Sequence, residues 1–394
     1  MFCRICKDQN FIDVIDLGNQ TLSGRFPSCK DENIPSHPLK LIKCTNPDCE
    51  LVQLSFDSNR DDLYKNFYGY MSGINTTMKN HLSDLVRYIE NTVELKETDN
   101  ILDIGCNDGT TLSLYKQKLH KFGVDPTAEQ FRNLYPSNIS LFCDYFGRSF
   151  LPKLGTNKFK VVTSIAMFYD LPDPVEFASC IYDILEDDGI WVLEQSYLPF
   201  MLNTNSFDTI CHEHLEYYGL KQIALIMSKV GLHINDVSFN NINGGSFRIT
   251  VSKKSNNFDV SIYTKNEEKL DFNSFRTNCE RIRKNLKELL VSAKKNGKVI
   301  CGYGASTKGN VILQYCGIDN TLIDCIAERN PFKYGKYTPS TLIPIKSEEE
   351  VRKMQPDYLL VLPWHFRDEF VIREREYTKR GGKIIFPLPN IIVI

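Results

Sequence analysis

The sequence predicts an α/β fold in which a small zinc ribbon precedes two Rossmann-like domains. The two domains are predicted because a buried strand that runs into a glycine turn and a helix occurs at residues 101–119 and again at 298–310. The ribbon is predicted from two closely spaced cysteine pairs before residue 50. We expect domain boundaries at residues 1–57, 58–255 and 256–394.

Size and charge exclude several classes of protein. At roughly 150 residues per domain, 394 residues predict two or three domains. Lys and Arg total 47 against 49 Asp and Glu, a net charge of −2, so we expect no nucleic-acid partner. No stretch approaches the roughly 20 apolar residues of a membrane span, and the first residues lack the apolar core of a secretory signal. We therefore expect a soluble, cytoplasmic protein. We also expect a monomer, because three domains can enclose a site without a partner.

The N-terminal cysteines have the spacing of zinc ligands. Cys3 and Cys6 form one pair and Cys44 and Cys49 the other, with a segment rich in Gly and Pro between them. Four thiolates presented from two turns complete a closed tetrahedral structural site. The alternative is four unrelated buried thiols. So short a segment has little core of its own, which favours Zn2+.

The first glycine turn indicates a nucleoside-type ligand. Gly105 and Gly109 follow the strand, and Asp125 ends the next strand about 20 residues later, where a carboxylate accepts hydrogen bonds from ribose hydroxyls. The glycine spacing is not that of a dinucleotide fingerprint. Asp103 and Asp108 would repel a pyrophosphate but suit a sulfonium and an ammonium group. The turn therefore predicts S-adenosylmethionine as cofactor.

Further along the chain, strands and helices continue to alternate. This alternation predicts a mostly parallel sheet that binds ligands at the carboxyl ends of its strands. Asp144, Ala166 and Glu194 lie at or beyond such ends.

The second glycine turn, Gly302 to Gly309, allows three interpretations. It can serve helix–strand packing alone, face a nucleotide, or bind NAD in an oxidoreductase. Against NAD, Thr307 occupies the third glycine position of the dinucleotide fingerprint.

A histidine cluster lies between the two turns. His212, Glu213 and His214 occur in a polar, aromatic segment at residues 205–218, in a chain with seven histidines. Their spacing offers at most two metal ligands, so a histidine acting as general base, oriented by Glu213 or Glu216, is the better interpretation. A polar interdomain loop is the structural alternative.

Taken together, these motifs resemble those of the zinc-containing S-adenosylmethionine-dependent C-methyltransferases of nucleotide-linked 4-keto-6-deoxysugars. The resemblance covers nearly the whole chain and depends on the order of the motifs. They are Cys49-x2-Val52-Gln53-Leu54, Tyr68-x-Tyr70, Gly105-Cys106-Asn107-Asp108-Gly109, Pro172-Asp173-Pro174, Glu194-Gln195, His212-Glu213-His214, Gly244-Gly245-Ser246-Phe247-Arg248 and Gly302-Tyr303-Gly304-Ala305-Ser306.

This resemblance implies a site and a mechanism. His214 would remove the proton next to the sugar ketone, supported by His212, Glu213 and Tyr70, and the enolate would be methylated. The cofactor residues would be Asp103, Gly105, Asn107, Asp108, Gly109, Asp125, Asp144 and Ala166. The nucleotide-sugar residues would be Glu194, Cys211, Asn243, Gly245, Ser246, Arg248, Gly304, Ser306 and Lys308.

Three positions depart from the family's pattern. Asp170 and Asn243 stand where histidines are usual, and Cys211 stands where a tyrosine is usual. Cys211 could be a nucleophile or a small pocket residue. In an extended chain its side chain would point away from that of its neighbour His212, which favours the second. Because the departures affect presumed substrate-facing loops, O- or N-methylation of a sugar or another small molecule is the alternative function.

Overall fold

Three β-sheets organise the computed structural model, which describes residues 1–64 and 69–394 and, at Asn266, the backbone alone. The strands are β1 Phe11–Thr21, β2 Ser36–Cys44, β3 Val52–Leu54, β4 Asn100–Ile104, β5 His120–Val124, β6 Ile139–Phe142, β7 Phe159–Ile165, β8 Leu185–Ser196, β9 Glu216–Tyr217, β10 His233–Asn240, β11 Ser246–Ser252, β12 Ile300–Tyr303, β13 Cys325–Glu328, β14 Ile345–Ser347, β15 Tyr358–Val361, β16 Lys383–Phe386 and β17 Ile392–Val393. The α-helices are α1 Arg60–Tyr64, α2 Thr76–Thr92, α3 Thr110–Leu114, α4 Pro174–Ile184, α5 Leu198–Asn203, α6 Leu220–Val230, α7 Ser261–Glu267, α8 Phe272–Lys295, α9 Thr307–Cys316, α10 Glu348–Lys353, α11 Arg367–Arg373 and α12 Arg375–Lys379. Tyr68 of the Tyr68-x-Tyr70 motif lies outside the described residues.

The N-terminal sheet is antiparallel and takes its last strand from far along the chain. Its order is β1-β2-β3-β9. In the pairing of β3 with β9, Val52 is opposite Tyr217 and Gln53 is opposite Glu216. The segment that carries the histidine cluster is therefore hydrogen-bonded directly to the zinc-ribbon region.

The central sheet has the order β10-β11-β8-β7-β4-β5-β6. Strands β4 to β8 run parallel, while β11 is antiparallel to both of its neighbours. Most side chains of β4 and β7 are buried and more than half are apolar, as expected for strands covered on both faces. The carboxyl ends of β4, β5, β7 and β8 meet at one edge, where Gly105, Asp125, Ala166 and Glu194 lie.

The C-terminal sheet has the order β14-β13-β12-β15-β16-β17 and is parallel except for β17. Helix α8 is highly charged, yet one of its faces is buried. Its buried face includes Phe275, Ile282 and Leu286, and these residues belong to a hydrophobic core shared with β1, β12 and α9. The N-terminal and C-terminal sheets therefore share one core, and the three domain boundaries stay a prediction.

None of the helices within residues 1–64 and 69–394 combines the length and apolar character needed to cross a bilayer.

The buried face of α8 allows a test of its structural role. Leu286 is fully buried, so Leu286→Ala leaves a cavity and should lower the free energy of unfolding by about 2–5 kcal/mol. Urea denaturation followed by circular dichroism measures the change. Lys284→Ala, on the exposed face of the same helix, is the matched control and should change it by less than about 0.5 kcal/mol. Equal losses in the two variants would show that α8 is a surface connector.

Candidate active site

A cavity of about 370 Å³ lies at the carboxyl ends of the central strands. It extends from the turn after β4, past the loop containing His214, to the N-terminus of α9 and residues Pro363, His365 and Phe366. The cavity is thus bounded by both Rossmann-like regions. Ligands bind at this position in open α/β sheets.

The turn after β4 is fixed by a carboxylate from the next strand. Gly105 adopts a φ of 77°, which a side chain would strain, and its N–H donates to the carbonyl of Val124 at 2.8 Å. Asp125 accepts the N–H of Asn107 at 2.8 Å, and the N–H and the hydroxyl of Thr127, each at 2.6 Å. Three of its acceptor positions are therefore used within the protein. Its predicted contact with ribose must therefore use a lone pair of the carboxylate that these three hydrogen bonds leave free.

A short segment before α2 closes over this turn. Asn107 accepts the N–H of Ser72 at 3.0 Å and donates to the carbonyl of Tyr70 at 3.2 Å. Asp108 accepts the N–H of Gly73 at 2.7 Å and the hydroxyl of Thr110 at 2.7 Å. Tyr70 lies at the cavity and keeps 46% of its surface exposed.

The chemistry of this end of the cavity fits S-adenosylmethionine. Four carboxylates line it, from Asp103, Asp108, Asp125 and Asp144. Burial raises the pKa of Asp103 to about 7, although the hydroxyl of Thr163 donates to it at 2.6 Å. A carboxyl that loses its proton easily when a cation arrives suits a sulfonium or ammonium ligand. The same set of carboxylates would repel a pyrophosphate.

His214 lines the cavity and has a defined tautomer. Its Nδ1–H donates to the carbonyl of Thr209 at 2.9 Å, so that Nε2 carries the lone pair. The imidazole packs on Tyr169 with ring centroids 4.1 Å apart. Burial and the positive charge of Lys308 lower the pKa of His214 to about 3, which keeps the imidazole neutral.

His212 points away from this cavity, contrary to its predicted supporting role. A turn closed by the N–H of His214 and the carbonyl of Cys211, at 3.1 Å, reverses the direction of the chain between the two histidines. Nε2 of His212 donates to the carbonyl of His37 at 3.3 Å, within the N-terminal sheet region. An extended chain would have placed both rings on one side.

Glu213 and Cys211 line the same part of the cavity. Glu213 is buried, and within the described part of the chain its Oε2 has no hydrogen-bond partner. Burial raises the pKa of the Glu213 carboxyl, and burial together with Glu213 raises that of the Cys211 thiol well above its usual value. Cys211 therefore stays protonated, which favours the pocket residue over the nucleophile.

Glu194 holds Arg248 in an internal network. The Nε–H of Arg248 donates to Glu194 at 2.8 Å, and His81 pairs with the other carboxylate oxygen. Although burial opposes it, these two partners hold the pKa of Glu194 below its usual value. Arg248 also lies over the ring of Tyr88. The guanidinium is therefore bound within the protein. The sequence had instead predicted that Arg248 contacts the substrate. His81 lies on α2 between the buried apolar residues Met78 and Leu82, and no motif marks it as a partner of Glu194.

Two lysines mark the far end of the cavity. Lys308 donates to the carbonyl of Asn243 at 3.0 Å, and Lys333 donates to the carbonyl of Ala305 at 2.7 Å. Burial lowers the pKa of both ammonium groups. Ser306 caps α9 by accepting the N–H of Gly309 at 3.0 Å. Lys333 was not predicted, because no motif surrounds it in the sequence.

The structure brings most of the predicted site residues to the cavity. Those that line it are Tyr70, Asp103, Gly105, Asn107, Asp108, Asp125, Asp144, Ala166, Glu194, Cys211, Glu213, His214, Asn243, Ser246, Ser306 and Lys308. Within the described chain, five others do not: Gly109, His212, Gly245, Arg248 and Gly304.

The three glycines in the second group have backbone roles. Their φ angles are 76°, 118° and 85°, and an added Cβ would lie within 2.7 Å of Tyr135, Phe200 and Pro363, respectively. Close packing at turns explains these glycines without any ligand.

The predicted zinc ligands converge on one point. The four Sγ atoms of Cys3, Cys6, Cys44 and Cys49 all lie within 4.8 Å of one another, with Cys3–Cys49 at 3.5 Å and Cys6–Cys44 at 3.6 Å. A tetrahedral site with Zn–S bonds of about 2.3 Å has sulfur–sulfur edges of about 3.8 Å. The cluster therefore fits a structural Zn2+.

Comparisons with known proteins agree with this geometry. A family model of a zinc binding domain matches residues 3–64, a methyltransferase domain model matches 74–237, and a C-methyltransferase C-terminal domain model matches 241–389. The C-methyltransferase NovU of Streptomyces niveus is 28% identical over 411 aligned positions, covering 100% of this chain and 96% of NovU.

Solved methyltransferase structures match part of the chain. One is the methyltransferase in a complex with the Haloferax volcanii Trm112 activator, at 14% identity and a TM-score of 0.39, covering 46% of this chain and 94% of that one. Another is magnesium protoporphyrin IX methyltransferase from Synechocystis PCC 6803, at 13% identity and a TM-score of 0.36, covering 48% and 90%.

The family matches follow one another along the chain in the order of the zinc site, the acidic turn and the lysine-lined region. They define an S-adenosylmethionine-dependent methyltransferase with a structural zinc site. More specifically, residues 241–389 match the C-methyltransferase C-terminal domain model, and the whole chain is similar to the C-methyltransferase NovU.

The zinc site should be required for stability. Metal analysis should give about one zinc per chain, and Cys49→Ser should lower both the zinc content and the melting temperature because the metal closes the two knuckles. Cys29→Ser, an exposed thiol in the same region, is the matched control and should change neither. Purified protein that is fully stable without zinc would contradict the assignment.

Proposed function

We propose that this enzyme transfers a methyl group to a carbon next to the ketone of a nucleotide-linked 4-keto-deoxysugar. The observation that carries the proposal is the neutral His214 imidazole, which lies in one cavity between an acidic end and two lysines. When bound at the acidic end, S-adenosylmethionine supplies an electrophilic methyl group. The relative NovU, a C-methyltransferase, supports methylation at carbon.

The two lysines support a diphosphate-bearing acceptor. Lys308 and Lys333 are charged groups with part of their hydration removed. Among the residues that the structure describes, each donates to one partner, a backbone carbonyl. A diphosphate at the N-terminus of α9 would gain both charges and the unpaired N–H groups of the first helical turn. The sugar would then extend from the lysines toward His214.

Methylation at carbon requires a base, because a C–H bond is not nucleophilic. The contact with Thr209 holds the ring so that Nε2 can take the proton next to the ketone, which is acidified because the resulting charge delocalises onto oxygen. That the enzyme is a cytoplasmic monomer without a nucleic-acid partner stays a prediction.

Replacing the base separates proton removal from cofactor binding. His214→Asn should lower solvent deuterium exchange at the acidified carbon of thymidine-diphosphate 4-keto-6-deoxyhexose by at least about 100-fold, measured by mass spectrometry with S-adenosylhomocysteine bound. Calorimetric affinity for S-adenosylhomocysteine should stay unchanged. His120→Asn, an exposed histidine outside the cavity lining of the described chain, is the control. Exchange at the wild-type rate in His214→Asn would exclude it as the base.

The low pKa of His214 should depend on whether the lysine end is occupied. One cause of the lowering is the positive charge of Lys308, and a bound diphosphate would neutralise that charge. Thymidine diphosphate should therefore raise the pKa of His214 from about 3 toward the usual histidine value, bringing it closer to the pH at which a general base works best. NMR titration of labelled histidines, assigned with His214→Asn, measures the shift. An unchanged or lower pKa would place the diphosphate elsewhere.

A further inference from the structure

Asp170 is a cavity residue to which the proposed mechanism has so far given no role. It ends the 3-10 turn Phe168–Asp170 that follows β7, and its side chain lines the cavity together with Glu213 and His214. Its Oδ2 accepts a hydrogen bond from the hydroxyl of Tyr64 at 3.1 Å. Its Oδ1 is buried and has no hydrogen-bond partner among the residues that the structure describes.

The surroundings of Asp170 favour a carboxylic acid over a carboxylate. Burial and the nearby Glu213 carboxyl raise the pKa of Asp170 well above its usual value, while Tyr64 and the charge of Arg60 oppose the shift. The titratable groups that interact with it are Arg60, Tyr64, Cys211, Glu213, Glu216 and Tyr217. Arg60 is the one cation in this set, and it lies over the ring of Tyr145.

The hydrogen bond from Tyr64 favours one position for the proton of the acid. With Tyr64 donating to Oδ2, that oxygen carries no proton, and the O–H of the acid lies on Oδ1. Oδ1 is the oxygen that has no partner in the described chain. Buried donors without partners are uncommon, which indicates that a ligand satisfies this one.

We propose that Asp170 is a further catalytic residue, which donates a hydrogen bond from Oδ1 to the ketone oxygen of the acceptor. This inference rests on the proposed function, because it requires a ketone. His214 Nε2 takes the proton from the carbon next to the ketone, the electron pair of the C–H bond forms the new C=C bond, and the C=O π pair moves onto oxygen. Asp170 keeps its O–H bond throughout and stabilises the developing charge, so no oxidant or reductant is needed.

A neutral donor suits this position because it strengthens its hydrogen bond only as charge develops on oxygen. Donors held in place in a cavity with little water act mainly on the transition state, and removing one typically costs 100- to 1,000-fold in rate. A carboxylic acid that burial keeps neutral is able to fill this role. An ionised Asp170 would instead repel the enolate, so the donor is present below its pKa and lost above it.

The test measures enolate formation without methyl transfer. Deuterium exchange into thymidine-diphosphate 4-keto-6-deoxyhexose is followed in D2O with S-adenosylhomocysteine bound. Asp170→Ala should lower the exchange rate by about 100- to 1,000-fold. In Asp170→Asn, the amide oxygen can accept from Tyr64 while its NH2 replaces the O–H, so exchange should stay within about tenfold of the wild type. Asp183→Asn, an exposed carboxylate paired with Arg148, is the control and should exchange normally.

The pH profile distinguishes a donor from a residue that only supports the fold. Wild-type exchange should decline at high pH as Asp170 loses its proton, and Asp170→Asn should lack this decline because an amide does not titrate. Calorimetric affinity for S-adenosylhomocysteine should be equal in all variants, which shows that the cofactor end is intact.

Each contrary outcome has a definite meaning. Wild-type exchange in Asp170→Ala would overturn the role of Asp170 and leave the proposed function in place. Equal losses in the Ala and Asn variants would also overturn it, and would indicate a carboxylate that binds an amino group of the acceptor. Absence of exchange in the wild-type enzyme would overturn the keto-sugar proposal, and the role of Asp170 with it.

Discussion

The position of one polar segment, residues 206–218, is the constraint on which the candidate site depends. Glu216 and Tyr217 extend the N-terminal sheet by pairing with β3. The N–H of Leu215 donates to the backbone carbonyl of Tyr169 at 2.8 Å, in the turn after β7. The N–H of Leu198 donates to the backbone carbonyl of Tyr218 at 2.9 Å. Because these hydrogen bonds come from separate parts of the fold, the segment can adopt few other paths. His214 is held at the cavity by this arrangement.

The zinc region contributes to the same constraint through Arg4, which lies between the first two cysteines. Its guanidinium is buried and donates to the carbonyls of Leu54 and Leu215 at 3.3 and 3.4 Å. Its Nε lies 3.4 Å from the buried carboxylate of Glu216. Removing one partner of a buried ion pair is costly because the other charge is left uncompensated. The zinc ligands lie more than ten residues from any cavity residue in the sequence. Through Arg4, the metal site can nevertheless affect the geometry of the cavity.

The sequence predicted those parts of the molecule that short motifs define. The cysteine pairs and the acidic turn depend on spacing within a few residues, and the structure places them together as expected. Other features depend on contacts from distant segments. His212 and His214 face opposite ways because of a turn between them, and α3 ends at Leu114, several residues before the predicted end of its helix at Leu119.

Buried partners explain the remaining differences. Tyr64, His81 and Lys333 reach the site only through the tertiary fold, so periodicity indicated a core role or no role for them. Helix α8 has many charges, but its apolar residues recur on one face, which packs into the core. Its composition alone therefore does not reveal this buried face.

The two glycine turns show why a local motif does not determine its ligand. In the first turn Asp125 accepts the N–H of Asn107 at 2.8 Å, and in the second Glu328 accepts the N–H of Ala305 at 2.8 Å. The N–H of Gly105 and that of Gly304 each donate to the neighbouring strand at 2.8 Å. The two turns therefore have the same pattern of backbone hydrogen bonds.

What differs between the turns is the charge around them, and that charge comes from residues outside the glycine motif. Carboxylates surround the first turn, whereas Lys308 and Lys333 approach the second. A cationic cofactor and an anionic acceptor would be drawn to opposite ends of one cavity, and each would be repelled from the other's end. Under the proposed function, this gradient orients the acceptor with its ketone toward the middle, where His214 and Asp170 lie. Reversal of the acceptor would place its diphosphate among carboxylates, so the charge distribution itself selects the productive orientation.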